Sequence, residues 1–358
     1  MNPLWYPLPD QLIAQEPVTP RDSSRLLQLN KVTGAIAHHT FHDIPKLLRR
    51  GDVLVRNNSR VIPARLLGTK PTGGKIEVLL NRLLDPHTNA WECLLKPGVK
   101  ETTQVTFPNG FSGSASKKVQ NDFTFIIKFN CSIEQLFNYL DFSGLVPLPP
   151  YVTQQKSHPQ SYWKTVYQTT YAKEKGSVAA PTAGLHFTSQ LDEEIVAAGV
   201  EIVEVSLHVG LGTFAPIKVD DYTKHQLHHE DFTLTRDAAN KLNQAKTDGR
   251  RIIAVGTTTV RVLEHCSDSS GQLTPQSGAT DIFIYPPYRF KFVDGLLTNF
   301  HLPGTSLLLL VSAFCCTPNT HHQFTDFQST FVGQAYLEAI AQSYRFFSFG
   351  DAMFIEQS

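Results

Sequence analysis

Between Ser177 and Thr188 the chain reads SVAAPTAGLHFT, which sets the hydroxyl of Thr182, the backbone freedom of Gly184 and the imidazole of His186 side by side. Imidazole titrates near neutral pH and suits general acid or base work. Pro181 fixes its own φ and Gly184 is able to take a positive one, so a bend that turns main-chain N–H groups outward is expected here. The competing reading is an ordinary turn with a hydrogen-bonded structural histidine.

The same mixture of residues recurs downstream. SLHVGLGTF carries His208 and Thr213, TDIFIYPPY carries Asp281, and LLTNFHLPGTS presents Asn299 and His301 at the end of an apolar run. In RRIIAVGTTTVRVLE an apolar strand ends at Gly256, and Thr257 and Thr258 open a helix that carries Arg261. Free N–H groups at such a helix start favour a phosphate or carboxylate, and open α/β sheets bind ligands at strand ends like this one. The plainer alternative is that the threonines only cap the helix. NNSRVIPARL adds Arg60 and Arg65, which could clamp an anion or simply be solvated.

These segments need a scaffold. The run from Arg25 reads as a hairpin turning at Thr33-Gly34, followed by a short helix over 43–50 and a buried strand, DVLVRN. From Leu67 to Phe129, KIEVLLNRLL, AWECLLK, QVTF, SASKKVQ and FTFIIKF succeed one another as short strands without a long helical pattern, which predicts an inserted antiparallel barrel or sandwich. Helical spacing follows over 132–142. After Tyr151, helices expected over 191–198, 236–247, 257–264 and 327–343 alternate with strands, the pattern of an α/β fold with a largely parallel sheet. SYRFFSFGDAMFI reads as a last strand. The expected division is an α/β catalytic domain over 1–66 with 146–358 and a barrel domain over 67–145.

Bulk properties narrow the function classes. With 358 residues, 32 basic against 32 acidic side chains and 41% hydrophobic residues, this is globular composition without a general positive field, so a polyanion must be met by a local basic patch. Five cysteines without CxxC spacing suit a reducing compartment. No signal peptide or membrane span is expected, since the longest apolar run, Leu307–Cys316, is half the length a span needs. The expected location is the cytoplasm. HVGLGTF lacks the third glycine of a dinucleotide fingerprint, and GTKPTGGK fails the phosphate-loop spacing. KHQLHHE, with His225, His228, His229 and Glu230, matches no zinc signature, and no metal is expected.

Taken in order, NNSRVIPARL, TGGKIEVLL, VAAPTAGLHFT, LHVGLGTF, VGTTTVRVLE, TDIFIYPPYRF, LLTNFHLP and SYRFFSFGDAMFI resemble the S-adenosylmethionine:tRNA ribosyltransferase-isomerase family of queuosine biosynthesis, nearly end to end. Departures include Asn58 and Ser59 where that family commonly has Asp and Thr, and Cys315 and Cys316 where it has Ala and Gly. The resemblance implies an α/β domain bearing an inserted β-barrel. It also implies transfer and isomerisation of the ribosyl part of S-adenosylmethionine onto 7-aminomethyl-7-deazaguanine at the wobble position of tRNA, giving epoxyqueuosine and releasing adenine and methionine. S-adenosylmethionine is then a cosubstrate, with no further cofactor. The partners implied are that tRNA and S-adenosylmethionine, with no membrane, and a monomer is the expected state. Proton transfers fall to His186, His208 and His301. Substrate contacts fall to Arg60, Arg65, Thr182, Gly184, Thr213, Thr257, Thr258, Arg261, Asp281 and Asn299, with the arginines assigned to the methionine carboxylate or an RNA phosphate. Two rivals remain, a tRNA-binding module without activity and a methyltransferase.

Overall fold

The computed structural model describes residues 3–117, 124–153, 157–210, 212, 217, 219 and 221–357. Two apolar runs flanking Gly34, whose φ of +75° only glycine adopts freely, pair as β1 (Arg25–Asn30) and β2 (Ile36–Thr40). Helix α1 (Ile44–Leu47) leads to β3 (Val53–Asn57), buried at all five positions, and then to β4 (Ser59–Val61).

The chain next enters the barrel. β5 (Arg65–Thr69), β6 (Lys75–Asp85), β7 (Ala90–Lys96), β8 (Thr103–Thr106), β9 (Ser112–Lys117) and β10 (Phe125–Phe129) close on themselves in the order β10-β7-β6-β5-β8-β9, every pair antiparallel. Alternation along β6 turns Ile76, Val78 and Leu80 inward onto Trp91, Val105 and Ile127. Closure leaves no edge to protect. Helix α2 (Ile133–Ser143), started by a Ser132/Gln135 capping box, packs Leu136 and Leu140 against this core. The sequence pattern gave five of the six strands. It missed β5, because Pro63 and the two arginines give NNSRVIPARL the look of a loop.

The remainder runs through α3 (Gln160–Val166), β11 (Glu174–Ser177), α4 (Ser189–Ala197), β12 (Glu201–Leu207), β13 (Glu230–Leu234), α5 (Arg236–Thr247), β14 (Ile252–Val255), α6 (Thr257–Cys266), β15 (Gln276–Thr280), β16 (Gly295–Asn299), α7 (Ser306–Cys315), α8 (Phe331–Ala341) and β17 (Ala352–Glu356). Nine strands form the main sheet in the order β15-β13-β12-β3-β14-β16-β17-β1-β2, while β11 pairs with β4 alone. The architecture is α/β with an inserted barrel, but the sheet is mixed. Its four central strands, β12, β3, β14 and β16, are parallel, and antiparallel pairs flank them. Of these, β3, β14 and β16 are buried at every position because both faces are covered, whereas β12, EIVEVSL, alternates. Helix α7 is buried at every position, so the greasiest run of the chain is a core helix. Among the described residues no helix is long and apolar enough to cross a membrane.

Candidate active site

The four parallel strands end side by side, and the residues at or just past each end gather at that edge: Asn57 at the end of β3, His208 after β12, Gly256 and Thr257 after β14, and Asn299 and His301 at and beyond the end of β16. Two hollows open there, and Leu307 lines both.

The larger hollow, about 390 Å³, lies between this sheet edge and the barrel side formed by β6, Trp91 of β7 and Phe137 of α2. Arg261 reaches it from α6, only 4% exposed. One of its terminal nitrogens is paired with the buried Glu230, whose other oxygen accepts from the Gly210 N–H at 2.8 Å. Its Nε and second terminal nitrogen have no partner among the described residues. A buried guanidinium with unused donors is an anion receptor, since unmet N–H groups out of water cost free energy that a carboxylate or phosphate returns. His208 lines the same hollow, its ring lying flat on Gly176, where an added Cβ would sit 3.0 Å away. Its Nδ1 is buried without a partner among the described residues. Burial pulls the imidazole below its ordinary range, opposed by the carboxylates of Asp231 and Glu174, so the ring is neutral at pH 7 and able to accept a proton. Asp231 in turn holds the barrel, taking a two-pronged hydrogen bond from Arg82 of β6 at 2.7–3.1 Å.

The smaller hollow, about 40 Å³, is lined by Thr182, Gly256, Thr257, Thr258, Asn299 and His301 among others. Gly256 has φ +84° and caps α6 without any side-chain hydrogen bond. His301 is held by the Thr298 hydroxyl at 3.0 Å from Nε2, and burial drives its pKa down to about 3. His186 sits behind this hollow, stacked on Phe41. The Asn299 side-chain nitrogen donates to the Phe347 carbonyl at 3.0 Å and to His186 Nε2 at 3.3 Å, which leaves His186 Nδ1–H to donate to the Ser24 hydroxyl at 2.7 Å. Burial, reinforced by Arg345, brings His186 also down to about 3. With both nitrogens engaged, it is a fixed neutral strut.

The structure therefore divides the sequence candidates. His208 and Arg261 share the larger hollow. Thr182, Thr257, Thr258, Asn299 and His301 share the smaller one. Gly184 lines neither, and its φ is not positive. Glycine is needed there because an added Cβ would lie 2.0 Å from the Tyr171 hydroxyl. Arg65 is tied to Glu77 on the barrel at 2.9 Å, and Arg60 is exposed beside Gln168 and Lys164. Asp281 is exposed, 3.6 Å from His229. Thr213 lies outside the described residues. His225, His228 and His229 precede β13 in non-helical chain, and among the described residues no group of three or more His, Cys, Asp or Glu could hold a metal ion. Sequence reading passed over Gly176, Asp231 and Arg82. Only the unexplained glycine between Lys175 and Ser177 marked any of them.

Hollows at the carboxyl ends of parallel strands, one of them roofed by an inserted barrel and holding a buried arginine with free donors beside a neutral imidazole, are the mark of an α/β enzyme. The comparisons make this specific: a family model described as queuosine biosynthesis protein matches residues 1–355, and the chain belongs to that family. It is 48% identical over 354 residues to an S-adenosylmethionine:tRNA ribosyltransferase-isomerase of Desulfitobacterium hafniense, and 47% identical over 355 residues to one of Clostridioides difficile. In both cases 98% of each chain is covered. It is also similar to a crystal structure of S-adenosylmethionine tRNA ribosyltransferase from Thermotoga maritima, with a TM-score of 0.55, 37% identity and 99% of both chains covered.

Proposed function

We propose that this chain transfers and isomerises the ribosyl moiety of S-adenosylmethionine onto 7-aminomethyl-7-deazaguanine at the tRNA wobble position, giving epoxyqueuosine-tRNA with release of adenine and methionine. The observation that carries this reading is identity of nearly one half, over 98% of the chain, to enzymes bearing that name.

The chemistry asks for few protein groups. A base takes a proton from the carbon beside the sulfonium, and adenine leaves as the ribose ring opens. The aminomethyl nitrogen of the tRNA base adds, and the sulfur-bearing carbon closes the carbocycle as the epoxide forms and methionine departs. His208 is the proton acceptor in this reading, because its Nδ1 is unpartnered and its ring is neutral at pH 7. Arg261 holds a substrate anion. His186 and His301 keep their neighbours in place, and Thr182, Thr257, Thr258 and Asn299 contact the cosubstrate. Arg60, Arg65 and Asp281, outside both hollows, are left to the RNA, as is Thr213. The tRNA approaches from the barrel side, with the barrel domain taken as 67–145 and the catalytic domain as the rest. A monomer is the state proposed, and the cytoplasm is the compartment that holds the substrate.

Incubation with S-adenosylmethionine and precursor tRNA tests this by its products. Free adenine is expected. S-adenosylhomocysteine would instead identify a methyltransferase, and tRNA binding without either product would identify a binding module.

A further inference from the structure

The smaller hollow offers two opposite kinds of partner and no ionised side chain. On one wall is the start of α6, a helix of ten residues whose Gly256 cap contributes no side chain, so the N–H groups of Thr257, Thr258 and Thr259 have no hydrogen-bond partner among the described residues. On the other is Asn299, 2% exposed, whose amide is oriented by the Phe347 carbonyl and His186. Its Oδ1 is left without a partner among the described residues. The two walls are neighbours, because β14 and β16 are adjacent parallel strands and the Gly256 N–H donates to the Leu297 carbonyl at 2.8 Å. His301 and Tyr151, the titratable groups in the lining, are both neutral.

We infer that this hollow is a receptor for the zwitterionic head of an α-amino acid: the carboxylate lies on the N–H groups that open α6, and the ammonium donates to Asn299 Oδ1. A helix N-terminus favours negative charge, while an amide oxygen favours a donor. A head group of zero net charge needs no counter-ion, which matches a lining without one. The hollow's size suits a carboxylate and an ammonium on one carbon better than a purine. Resting on the function proposed above, the occupant is the methionine end of S-adenosylmethionine, with its sulfonium and ribose passing Leu307 into the larger hollow. This leaves the free donors of Arg261 to the tRNA. His186 is then a positioning residue, which fixes the amide so that oxygen and not nitrogen faces the ligand.

The test uses the full chain and free methionine as probe, by calorimetry and by competition with S-adenosylmethionine. Methionine is expected to compete. 3-Methylthiopropionate, which lacks the ammonium, and 3-methylthiopropylamine, which lacks the carboxylate, should each bind about tenfold more weakly or worse, the scale of one lost charge-assisted contact. Thr257→Pro removes one N–H at a helix position that tolerates proline, and Asn299→Ala removes the oxygen. Both should weaken methionine and raise KM for S-adenosylmethionine while leaving KM for tRNA unchanged. Equal binding of all three probes, or Thr257→Pro and Asn299→Ala enzymes with unaltered methionine affinity, would overturn the inference. So would competition by adenine that Asn299→Ala abolishes, which would seat the base there instead. Adenine release by the wild-type enzyme is read separately, so failure here leaves the proposed activity standing, and failure of that activity shows in the products.

Discussion

The two hollows at the sheet edge are built in opposite ways. The larger has walls from both the barrel and the sheet and is furnished with charge: Arg261 against Glu230, Arg82 against Asp231, and a partly solvated His208. The smaller belongs to the α/β part and is furnished with dipoles, namely a helix start, threonine hydroxyls, an amide and a neutral imidazole. Charge across an interface between units can steer and hold a polyanion whose approach varies. Fixed dipoles inside one rigid unit hold a small ligand in one pose, because reorganising them would break bonds already made. The proposed reading accordingly gives the highly charged tRNA to the first and the methionine end of S-adenosylmethionine to the second.

The largest effect should come from disturbing the rigid side. Gly184→Ala places a methyl where the Tyr171 hydroxyl is 2.0 Å away, in the turn behind the smaller hollow. A loss of about 3 kcal/mol in unfolding free energy is expected by denaturant titration, from overpacking. A loss under about 0.5 kcal/mol would show that the turn yields. Acid is a second probe of the same side. His186 and His301 are held near 3 in the fold against about 6.5 unfolded, so the unfolded chain binds protons first as pH falls. Their contribution is complete above about pH 6.5 and is lost below it at about 1.4 kcal/mol per pH unit for each. Replacing either with Asn should flatten the fall between pH 6.5 and 4, and an unchanged slope would contradict the assignment.

For the two arginines of the charged side the expected effects are smaller. Arg261→Lys keeps a cation for Glu230 but loses the guanidinium's spare donors. KM for tRNA should rise about tenfold with stability little changed, and an unaltered KM would remove Arg261 from the substrate. Arg82→Ala cuts a partly exposed clamp between barrel and sheet and should cost about 1 kcal/mol or less. If it abolished folding, the two units would be more interdependent than their separate cores imply.

Periodicity and punctuation revealed the elements but not their partners. Helix 236–247 was readable to the residue because Thr235 caps it and Ala238, Ala239, Leu242 and Ala245 keep one face. Strand β5 was not, since barrel closure, which no local pattern reports, makes NNSRVIPARL extend. KHQLHHE gave no hint of its partner: its last residue begins a strand and buries Glu230 against Arg261, 31 positions away. In SVAAPTAGLHFT the positive φ expected at Gly184 is not adopted. Its glycine serves contact with Tyr171, and its histidine is spent on Ser24 and Asn299. Conversely, His208 and Arg261 stand out only in three dimensions, through nitrogens that nothing else in the described fold satisfies.

The central claim is that the charged hollow is where the proton is taken and His208 takes it. Single-turnover release of adenine from S-adenosylmethionine, with precursor tRNA saturating, compares His208→Ala with wild type directly. A fall of about 10²- to 10⁴-fold with S-adenosylmethionine affinity preserved is the expected result. A rate within about twofold of wild type, well short of the contribution of a general base, would contradict it.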